Sequence, residues 1–149
     1  MTTYKAKLPE IQLKYKASIF SKAKVSTSQE ANTIIKNFYN ADTIEYIETV
    51  YALYLNRANN TIGWQMISTG GMSAAIIDLK VLFASALTCG ASGIILSHNH
   101  PSGRIEPSNE DISITEKISK VGKLMDIKLL DHLIVTSDSY YSLADNGRF

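Results

Sequence analysis

The apolar run Ile94-Ile95-Leu96 leads straight into Ser97-His98-Asn99-His100 and stops at Pro101. On an extended strand, residues i and i+2 point to one side, so His98 and His100 aim at a common point. Pro101 has no N–H to offer a sheet ladder and ends the strand. Ser102 and Gly103 supply turn chemistry, and the chain resumes at Pro107-Ser108-Asn109-Glu110-Asp111. Ser108 and Asp111 share one face of a first helical turn. A strand that hands two imidazoles to the start of a carboxylate-bearing helix narrows how this region can fold. Two imidazoles and a carboxylate make a zinc ligand set with a fourth position open to water, so the stretch reads as a catalytic metal site.

The rest of the chain sets the context. Its 149 residues fit one domain with a core of its own. A formal net charge of +1 gives no broad electrostatic footprint for DNA or an anionic membrane. The single cysteine, Cys89, excludes an intramolecular disulfide and a Cys-rich zinc finger; it reads as a buried structural thiol. Met1-Thr2-Thr3-Tyr4-Lys5 carries no signal-peptide core, and no apolar run approaches membrane-spanning length. The expectation is a cytoplasmic protein.

Taken in order, residues 1–24 form an N-terminal strand or extension and residues 25–149 the body of the domain. Ile11, Leu13, Tyr15, Ala17 and Ile19 alternate with polar residues, which predicts a strand over Ile11–Phe20 with one wet face and lysines suited to a sheet edge. Thr27-Ser28-Gln29-Glu30 fits a capping box, and Ala31, Ile34, Ile35 and Phe38 follow at helical spacing to about Asn40. Glu48–Leu55 is apolar on both faces, as a central, doubly covered strand would be. Thr61–Ile67 returns antiparallel to it. Gly70-Gly71 opens a loop, and Ala74–Ile77 suits a short strand. Asp78 caps a helix with Leu79, Leu82, Phe83, Ala86 and Leu87 on its buried face, and Gly90 suits its C-cap. After the Ala91–His98 strand, a helix from about Asn109 carries Ile114, Ile118, Val121 and Met125. One or two strands cover Ile127–Leu130 and His132–Thr136, and Asp138–Tyr141 closes as a turn and short terminal segment. The order suggests an α/β (α+β) fold, a mixed central sheet flanked by helices around the histidine-bearing strand.

A lone His-x-His is a weak signal. Asp111 lies within reach of a tight loop, only His132 remains among the other histidines, and Glu48 puts an acid at the entry to an otherwise buried strand. Plainer roles stand beside these. Ser108 and Asp111 match a helix N-terminus by themselves, as N-cap and box acid. His98 can be a core histidine donating to a carbonyl. Glu48 can be a solvated strand end, with Glu45 a competing acid. His132, next to Asp131, can be a third ligand or a partner of one, and a structural Asp-His pair is favoured.

Glu48, His98-Asn99-His100, seven intervening residues and Ser108-Asn109-Glu110-Asp111 resemble the JAMM (MPN+) metalloprotease signature. Tyr51–Asn56, Gly93–Gly103, Leu129–Val135 and Tyr140-Tyr141-Ser142 resemble its RadC-like branch, and the likeness runs from about residue 25 to 147. It implies a cytidine-deaminase-like JAB/MPN fold over residues 25–149 and one zinc held by His98, His100 and Asp111. It further implies Glu48 as the acid beside a metal-activated water and Ser108 as a stabiliser of the developing oxyanion. Longer RadC-type chains carry an N-terminal helix-hairpin-helix region that these residues do not include.

The expected function is a zinc metallohydrolase cleaving a peptide or isopeptide amide, with Glu48 as general base and a protein or peptide as substrate. The alternative is a non-catalytic zinc-containing interaction module or DNA-repair accessory; the near-neutral charge counts against DNA contact. A cupin-like site of His98, His100, Glu106 and His132 conflicts with the helical periodicities that begin at Ala31, Leu79 and Asn109.

Overall fold

The computed structural model of the chain describes residues 8–17, 22–70 and 76–149. Helix α1 (Ser28–Ile35) runs into a 3-10 turn at Lys36–Phe38, followed by β1 (Thr49–Leu55) and β2 (Thr61–Thr69). Helix α2 (Leu79–Thr88), β3 (Gly93–Asn99), α3 (Asn109–Leu124), β4 (Lys128–Val135) and β5 (Tyr140–Ser142) complete it. The strands form one five-stranded sheet in the order β2-β1-β3-β4-β5. The β1–β2, β1–β3 and β4–β5 pairs are antiparallel, and β3–β4 is parallel. A parallel pair needs a crossover, and α3 supplies it. The expected mixed sheet with flanking helices is therefore the observed architecture.

Why β1 and β3 are apolar on both faces follows from the two cores. Val50, Ala52, Tyr54, Ile94 and Leu96 pack with Leu82, Phe83 and Ala86 of α2 and Ile118 of α3. Leu53, Leu55, Ile95, Leu133 and Val135 pack on the other side with Ala31 and Ile35 of α1. Period-two alternation puts His98 on the α2/α3 side, above Leu96, and Asn99 on the α1 side. The helices start where their caps dictate. Thr27 accepts from the Glu30 N–H, and the Glu30 carboxylate reaches back to the Ser26 N–H rather than to that of Thr27. Asp78 accepts from the Lys80 N–H, and Gly90 takes the left-handed conformation, φ 68°, beyond the end of α2. No helix among the described residues is long and apolar enough to cross a membrane.

Several expectations need correction. Residues 9–17 form no strand, and residues 18–20 of that predicted element lie outside the described residues. Alternation makes a strand only where a partner ladder is available; here Ile11 and Leu13 stay exposed, and Tyr15 reaches the sheet through its hydroxyl, which donates to the Ile62 carbonyl. Of the short strand proposed at Ala74–Ile77, residues 74 and 75 lie outside the described residues, and Ile76 and Ile77 are not in a strand. Of the one or two strands expected over the carboxyl-terminal apolar stretch there is one, β4, with a register shift opposite Ile94/Ile95. The terminal segment adds β5 to the sheet edge. Met125 is no part of the α3 stripe; it is the C-cap and 42% exposed. Cys89 is half-buried, its thiol lying over the Ala86 carbonyl.

The end of α3 is fitted closely to β4. A Cβ on Gly122 would stand 2.2 Å from the Ile127 carbonyl oxygen. Helix propensity alone favours alanine over glycine by about 1 kcal/mol, but a clash with fixed backbone outweighs it. Gly122→Ala is therefore expected to destabilise the fold by roughly 1–3 kcal/mol, read as a lower urea midpoint; an unchanged or higher midpoint would contradict this packing.

Candidate metal centre

The site forms where β3 ends and α3 begins, the carboxyl edge of a parallel pair where open α/β sheets bind ligands. His98 Nε2 lies 2.9 Å from His100 Nε2. Asp111 Oδ1 is 3.3 Å from His98 Nε2, and Oδ2 is 3.2 Å from His100 Nε2. Glu48 Oε1 stands 4.0 Å from His98 Nε2. The sequence-predicted residues thus meet: His98, His100, Asp111, Glu48 and Ser108 all border one cleft of about 480 Å³.

Each side chain is aimed by local structure. The His100 main chain is tied to the end of β4 by its N–H to the Val135 carbonyl, 3.2 Å. A tight turn follows, with Gly103 at φ 81° and its N–H bonded to the His100 carbonyl. That turn folds the Arg104 carbonyl under the His100 ring, 2.7 Å from Nδ1. A carbonyl only accepts, so Nδ1 carries the proton and the bare Nε2 faces Asp111. The His98 Nδ1 is engaged 2.7 Å from His132 Nε2.

Ser108 and Asp111 serve the helix and the cluster together. Ser108 Oγ accepts from the Asp111 N–H, and Asp111 Oδ2 accepts from the Ser108 N–H, a complete capping box. The cap holds the carboxylate still and turns it to the imidazoles. The capping geometry and a ligand position for Asp111 are therefore compatible.

Charges follow from these contacts. Burial alone would raise the Asp111 carboxyl, but the neighbouring His100 and His98 imidazoles and the Ser108 N–H hold it well below the usual carboxylate range. Burial would likewise lower His100, yet Asp111, the Arg104 carbonyl and the Glu48 charge together raise it above 6.5. His132 is driven well below 6.5, first by burial and then by the neighbouring His98.

The donor set suits a divalent cation. Ligand distances of 2.0–2.2 Å at tetrahedral angles place donor atoms about 3.3–3.5 Å apart. The carboxylate–imidazole separations of 3.2 and 3.3 Å match, and the two imidazoles are slightly closer. Among the described residues, His98, His100 and Asp111 group as potential ligands within 4.8 Å of one another. Two nitrogens and one oxygen are the three-ligand pattern of sites that keep a position for substrate or water.

Two residues at the site escaped the sequence reading, and a third was misread. Asn99, between the histidines in sequence but buried on the other face of the sheet, donates to the Ile44 and Ile47 carbonyls and accepts from the Thr49 N–H. It pins the segment that carries Glu48. Strand alternation was the signal for it, since a buried amide needs several partners. Thr115, one turn beyond Asp111, bonds His132 Nδ1; its i+4 spacing from Asp111 offered only a faint cue. Asp131 does not pair with the His132 ring. Its carboxylate accepts from the His132 main-chain N–H, Ser142 Oγ and the Ala144 N–H, fastening β4 to the terminal turn.

The family model described as RadC-like JAB domain matches residues 25–148. A UPF0758 protein of Flavobacterium johnsoniae is 40% identical over 126 residues, 85% of this chain and 54% of that one. One of Methanococcoides burtonii is 38% identical over 136 residues, 91% of this chain and 59% of that protein. One of Aquifex aeolicus is 34% identical over 127 residues, covering 85% and 53% respectively. The chain spans about half the length of the curated relatives it matches.

A proton and a metal compete for His100 Nε2, and the raised His100 pKa lets the proton compete at higher pH than an ordinary imidazole would. Zinc affinity, measured by competition with a chromophoric chelator, is expected to fall by about tenfold per pH unit below that pKa for each proton displaced. Affinity unchanged between pH 8 and pH 5.5 would contradict the ligand role of the imidazoles.

Proposed function

Because the chain belongs to the RadC-like JAB domain family, we propose that it is a zinc-dependent hydrolase of peptide or isopeptide amides. His98, His100 and Asp111 would hold the ion. The observation that carries this reading is a second carboxylate, Glu48, placed 4.0 Å from His98 Nε2 and lining the same cleft. A purely architectural zinc site is closed by four protein ligands; this cluster offers three and a cleft.

Zinc, when bound, supplies Lewis acidity that brings water's pKa to about 7 and polarises an amide carbonyl. Glu48 Oε1 takes the proton of the attacking water and delivers it to the leaving nitrogen, a role worth roughly 10²–10⁴ in rate. Ser108 Oγ already accepts the Asp111 N–H, so its own hydroxyl proton is the group it can give. Donated to the developing oxyanion, that proton contributes about 10²–10³. Asp111 and His100 stay fixed by the capping box and the Arg104 carbonyl, so the site need not reorganise during the reaction. Val50, Ile76, Ile77 and Ile114 line the cleft beside the carboxylates; they would seat an aliphatic side chain next to the scissile amide and keep bulk water from it.

Glu48→Gln keeps the shape of the side chain and removes the base. It is expected to bind one zinc with wild-type stoichiometry while peptide hydrolysis falls about 10²–10⁴-fold, measured with a quenched-fluorescence peptide library. Full activity in that variant would remove Glu48 from the chemistry. Wild-type protein that is zinc-loaded and inert on every peptide and isopeptide would favour a binding module instead.

A further inference from the structure

We infer that His132 and Thr115 are positioning residues for His98, holding its ring in the single tautomer whose Nε2 lone pair faces Asp111; this rests on the reading of His98 as a metal ligand. The direction of every proton follows from one carbonyl. Thr115 Oγ1 lies 2.6 Å from the Asp111 carbonyl oxygen. That oxygen accepts only, so the threonine hydroxyl spends its one proton there. Thr115 Oγ1 is also 2.6 Å from His132 Nδ1, and with its proton committed it must accept, so Nδ1–H belongs to His132.

His132 is fully buried. No carboxylate is hydrogen-bonded to its ring among the described residues, because Asp131 is turned to Ser142, Ala144 and the main chain. An unpaired charge in such a place is costly, so the ring is neutral and its Nε2 is bare. The 2.7 Å contact between His132 Nε2 and His98 Nδ1 then requires His98 to donate from Nδ1. His98 Nε2 is left with its lone pair, 3.3 Å from Asp111 Oδ1 and 2.9 Å from His100 Nε2.

The relay closes on itself. It leaves His98 on β3, crosses to β4, passes to α3 and ends on the carbonyl of Asp111, whose carboxylate faces the ring where it began. Reversing any one bond would put a proton on His98 Nε2 and deny it to a cation. Three polar side chains inside an apolar core are tolerated when every member is satisfied, and here each donor and acceptor has one assignment. A direct ligand role for His132 conflicts with this, since its Nε2 is committed to His98.

The test reads tautomers by long-range ¹H–¹⁵N correlation of the imidazoles in metal-free protein, and zinc affinity separately. Wild-type protein should show His98 protonated at Nδ1 and bare at Nε2, with His132 likewise protonated at Nδ1. Thr115→Ser should preserve this pattern and bind zinc within about threefold of wild type. Thr115→Val removes the acceptor; His132 should shift toward the Nε2–H form, drive His98 to Nε2–H, and weaken zinc binding by about 10–100-fold. A merely structural threonine would change stability without changing either tautomer. His98 protonated at Nε2 in the wild type, or a Thr115→Val protein with unaltered tautomers and zinc affinity, would overturn the assignment. The wild-type spectrum decides even if Thr115→Val fails to fold. Should the tautomers be as stated while the wild type binds no zinc, the relay stands and the metal reading falls.

Discussion

Three electron-rich atoms are forced together at the end of β3. His98 Nε2, His100 Nε2 and the Asp111 carboxylate lie 2.9 to 3.3 Å apart, and both Nδ1 atoms are already bonded elsewhere. Lone pairs facing one another at such distances repel unless a cation lies among them. A proton on His100 answers part of that need, and Asp111, the Arg104 carbonyl and Glu48 raise its pKa accordingly. A divalent ion answers it more fully, because it can take all three donors at once. The surrounding fold is what prevents the three groups from relaxing apart.

That restraint is assembled from ordinary parts. The buried strand β3 fixes His98, with pairing partners on both sides. The turn at Gly103 and the Val135 carbonyl fix His100. The capping box fixes Asp111, so the start of α3 is at once a helix terminus and the mount of a carboxylate turned to the imidazoles. Two cores on opposite faces of the sheet clamp these pieces, and the tight approach of Gly122 to Ile127 sets where α3 can lie. Asn99 does for the Glu48 segment what the cap does for Asp111. Chemistry at this site therefore depends on backbone carbonyls and main-chain N–H groups as much as on the side chains that would touch an ion.

Much of this could be read from the residues in order. Two-sided apolar strands and helical stripes named the sheet and its covering helices, because burial on both faces leaves no other pattern. The His98, His100 and Asp111 convergence was legible because strand period, a proline stop and a helix cap each restrict one side chain. What stayed hidden depends on tertiary contact. Alternation at Ile11 to Ala17 looked like a strand, yet a strand exists only with a neighbour, which no local pattern supplies. Asp131 and His132 looked like a pair because they are adjacent, whereas on a strand adjacent residues face opposite sides. Thr115 was unremarkable until His132 arrived from another strand to meet it.

The most direct measurement is zinc K-edge X-ray absorption on protein loaded with one equivalent of the metal. The account predicts a light-atom shell at about 2.0–2.1 Å with multiple-scattering features for two imidazoles and the remaining ligands oxygen. A sulfur shell near 2.3 Å, which would bring in Cys89, or a fit needing no imidazole or three, would contradict it.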